Sequence, residues 1–164
     1  MQELIGILMA LFIALFPTPV PEIITTSSST PVSVDLVRVV DGDTILVSIE
    51  GKEEYVRYIG IDTPEQYKDK EPECFSAEAI NFNRSLLDGY SKVQLVADKE
   101  GRDKYNRLLR YVYAGEVFIN AKLLQDGYAK TLSIKPNTRY AQKFKNFEKE
   151  AKKEKLGLWR ACYE

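Results

Sequence analysis

Apolar and polar positions change their period several times along the chain. Leu4–Phe16 (LIGILMALFIALF) is an unbroken apolar run of 13 residues. A spanning helix needs ~20 such residues. The run therefore predicts a signal-peptide core or a membrane anchor over residues 1–16, although Met1-Gln2-Glu3 carries no Lys or Arg. Residues 17–32 (PTPVPEIITTSSSTPV) are too poor in core residues to fold and read as a Pro/Ser/Thr linker. The pattern then becomes β-like. Ser33–Val40, Thr44–Glu50 and Glu53–Ile61 are rich in β-branched residues and partly alternate. Phe75–Leu87 carries a helical apolar stripe through Ala79, Ile80, Phe82 and Leu86, ended by Gly89. Two more strands, Ser91–Ala97 and Arg107–Ala114, precede a short Val117-Phe118 piece. Asn120 is positioned to cap a helix through Gln125, and Asn137 or Thr138 to open a last helix running to about Lys155. Three strands, a helix, two strands and further helices predict one α+β domain over residues 33–164. Its expected core is a five-stranded Greek-key barrel of OB type with about three helices.

Composition narrows the chemistry. The chain has no histidine, which removes Ser-His-Asp triads, His general bases and His-rich zinc sites. Hydrolysis here has to rest on carboxylates, Arg, Lys, Tyr or an oxygen-held metal. Charge is divided: residues 135–160 hold nine basic and three acidic side chains, while residues 33–134 carry an acidic excess. A nearly neutral domain is unlike a tight non-specific nucleic-acid binder, whose affinity comes mostly from phosphate neutralisation. The two cysteines, Cys74 and Cys162, stand 88 positions apart. With an apolar leader they are expected to pair outside the cytoplasm, a closure worth about 4–5 kcal/mol on chain entropy. Two free thiols are the alternative.

Asp41 and Asp43 flank Gly42 at one strand end, and Asp62 and Glu65 lie in a Pro-stiffened turn at another. Four carboxylates brought together repel one another, and a hard cation relieves that cost. Oxygen-only donors suit Ca²⁺, which takes 6–8 ligands in loose geometry, better than zinc or the stricter Mg²⁺ octahedron. Taken singly, each motif is an ordinary turn sequence. Arg57 and Arg107 change the balance, because two guanidiniums can grip one phosphate bidentately. By alternation Arg57 shares a face with Ile59 and Ile61, so either the strand bends at Gly60 or Asp62 lies off it.

The segments VDGDT (Val40–Thr44), R-x4-DTPE (Arg57–Glu65), DKYNR (Asp103–Arg107), NxxLLxxGYAK (Asn120–Lys130) and AKKEKLGLW (Ala151–Trp159) together resemble the staphylococcal nuclease, or thermonuclease, family. They stand in family order and cover most of residues 33–160. The resemblance implies an OB-fold barrel and Ca²⁺-dependent hydrolysis of DNA and RNA to 3′-phosphate ends. It implies Asp43, Asp62 and the Thr63 carbonyl as metal ligands and Arg57, Glu65 and Arg107 as the catalytic trio. Lys104 and Tyr105 would stand beside the nucleotide. One departure concerns the loop after the second helix. In a well-known member it carries aromatics that flank a base, whereas here Thr131–Pro136 (TLSIKP) has none and is one residue shorter. Base stacking, ~1–3 kcal/mol per base, is then reduced or moved elsewhere.

The expected protein is a monomeric, extracytoplasmic nuclease with a DNA or RNA substrate. It is either secreted or anchored by its N-terminal segment, which would make the only membrane contact. The alternative is a catalytically weak OB module that binds nucleic acid or a partner protein at the cell surface.

Overall fold

The computed structural model describes residues 30–67 and 70–163. The apolar run and all but the end of the linker lie outside them. Five strands close a barrel. β1 (Val32–Val39) pairs antiparallel with β2 (Thr44–Ile49) and with β5 (Lys92–Val96). β2 pairs with β3 (Lys52–Tyr58), and β5 with β6 (Leu108–Ala114). β3 and β6 then meet in parallel, with Val56 opposite Leu108 and Arg57 opposite Leu109. Closure buries β-branched and aliphatic side chains from every wall, among them Ile45, Val47, Val56, Val93 and Val112. This is the five-stranded OB-type barrel expected from the strand pattern.

The third expected strand, Glu53–Ile61, is interrupted. β3 stops at Tyr58, and β4 (Gly60–Asp62) leaves the barrel to pair with β8 (Lys130–Leu132). Gly60 makes the break at φ +83°, a conformation that disfavours any side chain. A Cβ there would also stand 2.7 Å from the ring of Phe144. Buried Asn120 holds the break on the other side. Its Nδ2 donates to the Ile59 carbonyl (2.9 Å), and its Oδ1 accepts the Val112 N–H (2.9 Å). Asn120 is thus not the expected helix cap: it lies inside α2 (Ile119–Gln125), which follows the short β7 (Val117–Phe118).

α1 (Ser76–Leu87) buries Ala79, Ile80 and Leu87, and packs on the barrel core through Leu87, Phe82 and Leu86. α3 (Ala141–Lys153) lies beside α2, β4 and β8. It starts later than Asn137 or Thr138, because Asn137 is engaged elsewhere. Its Oδ1 accepts the N–H groups of Lys99 and Glu100, and its Nδ2 donates to the Glu100 carbonyl. The one-turn α4 (Leu158–Ala161) ends the described chain, its Leu158 N–H bonded to the Gly127 carbonyl. A disulfide joins Cys74, before α1, to Cys162, after α4, with Cα atoms 6.0 Å apart.

Candidate active site

Local sequence makes the first element. In the turn between β1 and β2, the Asp41 carboxylate accepts the N–H of Asp43 (3.0 Å), and the Thr44 carbonyl accepts the N–H groups of Val40 and Asp41. Asx turns of this kind are what an Asp-Gly-Asp sequence favours. Gly42 is needed because Thr63 presses against it: a Cβ would meet Thr63 Oγ1 at 2.5 Å. That approach lets the Thr63 N–H donate to Asp43 Oδ2 at 2.9 Å, so the two acidic turns are clasped together. A second clasp comes from α1. Buried Asn83 donates to the Asp41 carbonyl (3.0 Å) and accepts from the Tyr58 hydroxyl (3.1 Å).

Asp43 is fully buried. Burial pushes its carboxyl up, to about 7, with Asp41 and Asp62 adding to the rise and Arg57 and the Thr63 N–H opposing it. Arg57 is the hub. Its Nη1 donates to the carbonyls of Tyr58 (3.0 Å) and Ile61 (2.9 Å). Its Nη2 contacts Asp43 Oδ2 at 3.0 Å and Asp62 Oδ1 at 2.7 Å. Those two oxygens therefore lie no farther apart than the sum of two short contacts. The break at Gly60 makes this possible, since an unbroken strand would hold Arg57 and Asp62 on opposite faces.

Asp62 is half-exposed, and its carboxyl is raised by partial burial and by Glu73, against Arg57 and Lys130. Glu65 is raised too, by burial first and then by Asp41, Asp62 and Glu73, with Arg57 opposing. Its loop is stapled by Glu73. Glu65 N–H donates to Glu73 Oε2 (3.1 Å), the Glu73 N–H returns to the Glu65 carbonyl (2.9 Å), and Tyr67 O–H donates to Glu73 Oε1 (2.9 Å).

Arg107 stands apart from this cluster. Its Nε donates to Asp103 Oδ2 at 2.7 Å, and its guanidinium lies 5.5 Å from the centre of the Tyr105 ring. Arg107, Arg57, Lys104 and Tyr105 line one cavity of about 360 Å³, which also includes Ile61, Leu132, Ile134 and Asn137. Tyr105 is 68% exposed, with Lys104 Nζ 4.9 Å from its ring centre. The expected site residues thus fall into two groups that meet at Arg57.

Among the described residues, no three Asp, Glu or Cys side chains are grouped tightly enough to hold a metal by themselves. The donor set nevertheless fits a hard cation. Two carboxylate oxygens converge on one point, the crowded acids are raised in a way that added positive charge would relieve, and no nitrogen or sulfur ligand stands among them. Sequence reasoning missed Asn83, Glu73 and Asn137. Nothing local marks them, because Asn83 and Asn137 act on segments far away in the chain and Glu73 on a loop that folds back onto it.

The sequence profile of the family described as staphylococcal nuclease homologue matches residues 55–161. The chain is 38% identical over 125 residues to the thermonuclease of Staphylococcus hyicus, an alignment covering 76% of this chain and 73% of that one. It is 40% identical over 123 residues to the thermonuclease of Staphylococcus intermedius, with 74% and 73% covered. To the endonuclease YncB of Bacillus subtilis it is 41% identical over 131 residues, covering 78% of this chain and 62% of that one.

Proposed function

The chain belongs to the staphylococcal nuclease family, and from that premise we propose that it is a Ca²⁺-dependent nuclease that cuts DNA or RNA to 3′-phosphate ends. One observation carries the reading: Asp43 and Asp62 meet at Arg57, which also lines the cavity that Arg107 enters. Asp43 and Asp62 would hold the ion, with the Thr63 carbonyl as a further ligand. The ion supplies Lewis-acid neutralisation of the phosphoryl group.

The remaining steps belong to the chain's own residues. Arg57 Nη2 stands between the two carboxylate oxygens that would hold the ion, and its place in the cavity wall would let the guanidinium donate to a phosphoryl oxygen. Glu65, its carboxyl raised by partial burial, would in its ionised form take a proton from water as the new O–P bond forms. The P–O5′ bond breaks, and the 5′-oxygen leaves as a hydroxyl by taking a proton from solvent, while Glu65 returns to solvent the proton it took from the attacking water. Arg107 stabilises the charge that grows on the pentacoordinate phosphorus, and such preorganised donors are worth ~10²–10³ in rate. Lys104 and Tyr105 line the nucleotide's side of the cavity.

The protein acts outside the cytoplasm, secreted or anchored through its N-terminal segment, and works as a monomer. The Cys74–Cys162 disulfide and the apolar run Leu4–Phe16 support that placement. The test is cleavage of single-stranded DNA with Ca²⁺ and with EGTA, followed by end analysis. Products that resist polymerase extension until phosphatase treatment are expected. Equal cleavage in EGTA, or directly extendable 3′ ends, would falsify the reading, and binding without cleavage would make the chain a binding module.

A further inference from the structure

We propose that Lys130, Tyr163, Trp159 and Lys152 form a second subsite, beside the cleavage site, that takes a flanking segment of a single-stranded polynucleotide. For the identity of its ligand the inference rests on the nuclease reading. The four side chains make a continuous strip. Lys130 Nζ lies 5.4 Å from the centre of the Tyr163 ring. Tyr163 stacks on Trp159 with centroids 5.3 Å apart and planes inclined by 28°. Lys152 Nζ then lies 4.3 Å from the Trp159 ring centre. Two stacked rings thus stand between two ammonium groups, and Tyr163 is 60% exposed.

The strip begins at the candidate active site, because Lys130 in β8 pairs with Asp62 in β4. Among the described residues, the Lys130 ammonium forms no ion pair with a carboxylate. Lys152 and Trp159 also belong to the most basic part of the chain, residues 135–160 with nine basic and three acidic side chains. Tyr163 is anchored through its neighbour in the chain, since Cys162 is disulfide-bonded to Cys74. On the cavity side, by contrast, the end of β8 and the loop that follows it offer Leu132 and Ile134 and no ring. A chain that is anionic at each step and carries a π face at each base matches this pairing of rings with flanking cations, because stacking and backbone charge are the two terms of single-strand binding. The Trp159 Nε1 donor is buried without a partner, so the indole brings ring area here rather than a hydrogen bond.

Trp159 is the chain's single tryptophan and reports on its own surroundings. The experiment titrates a fluorescein-labelled oligothymidylate of about 12 nucleotides into the whole protein in EGTA, where no cleavage is expected. Anisotropy gives the affinity, and an unlabelled oligomer is titrated in parallel while Trp159 emission is read. Saturable quenching is expected. Tyr163→Ala should weaken binding about tenfold and Tyr163→Phe should bind like the parent, since the ring face is kept. Lys130→Ala should lower the slope of log affinity against log salt by about 0.7, one phosphate contact on a single strand. Circular dichroism checks that each variant is folded. Binding by folded Tyr163→Ala within about twofold of the parent overturns the subsite, as does a parent that does not bind or whose Trp159 emission does not respond. Because no turnover is read, the two proposals fail separately. A parent that binds and quenches but never cleaves with Ca²⁺ keeps the subsite and loses the nuclease reading. A parent that cleaves while Tyr163→Ala binds normally does the reverse.

Discussion

Arg57 and Arg107 line the same cavity but are held in opposite ways. Arg57 is 9% exposed, and its guanidinium is the counter-charge of the fully buried Asp43. Arg107 is partly exposed, ion-paired with Asp103 and set beside the Tyr105 ring. Removing one partner of a buried pair leaves an uncompensated charge, a cost of about 3–5 kcal/mol. Removing one from a partly exposed pair costs only about 0.2–1 kcal/mol. Arg107→Ala should therefore melt within a few degrees of the parent and lose about 10²–10³ in cleavage rate. Arg57→Ala should lose both activity and stability, and Ca²⁺ should raise its melting temperature by more than it raises that of the parent. An ion held by Asp43 and Asp62 would take over the charge that Arg57 supplies to Asp43. Calorimetry with and without CaCl₂ measures this, and an equal rise in both proteins would remove Asp43 from the metal site.

One hydrogen-bonded chain links three elements. The Tyr58 hydroxyl at the end of β3 donates to Asn83 in α1, and Asn83 donates to the Asp41 carbonyl in the turn before β2. All of it is buried or nearly so, and a polar group left without a partner there costs about 1–3 kcal/mol. Asn83→Leu should destabilise the protein by about that amount, read as a lower urea midpoint at unchanged slope. Adding Tyr58→Phe should restore part of the loss, because the stranded hydroxyl goes with it. A double variant as unstable as the sum of its single changes would show that the two side chains are not coupled. The strands and helices themselves were mostly legible, since their apolar periods are local. The break in the third strand was left open between two readings. Nothing within Glu53–Ile61 says that Phe144 will occupy the space beside Gly60 or that Asn120 will take the Ile59 carbonyl.

The barrel closes along the parallel seam of β3 and β6, and an ion-pair cluster spans it at one end. Glu54 accepts from Arg102 (2.9 Å), in the loop before β6, and pairs with Lys52 (3.1 Å). These partners hold its carboxyl down, at about 2, with the Arg102 contact foremost. An acid depressed in the folded state stabilises it above the ordinary carboxylate value and loses that contribution as pH falls toward the depressed one. Stability should thus drop between about pH 4.5 and pH 2 in the parent, and Glu54→Gln should flatten that part of the curve. Urea melts across that range test it, and an unchanged acid slope would show that the cluster contributes nothing to closure.

The sequence by itself determined the barrel, the order of its strands and the identity of the acidic turns. Each of these rests on residues close together in the chain: an alternating run, or an Asp-Gly-Asp that bonds to its own backbone. It also supplied the cysteines, though not the 6.0 Å approach of their Cα atoms. Only the tertiary structure decided which way Arg57 points, since alternation set it with Ile59 and Ile61 while the bend brought Asp62 to its Nη2. It alone tied Arg107 to Asp103, gave Asn83, Glu73 and Asn137 their partners, and laid Tyr163 between Lys130 and Trp159. These contacts join segments separated by long stretches of chain or by a change of local direction. Propensity and period describe neighbours along the backbone, whereas a buried polar group takes whichever partner packing brings within reach.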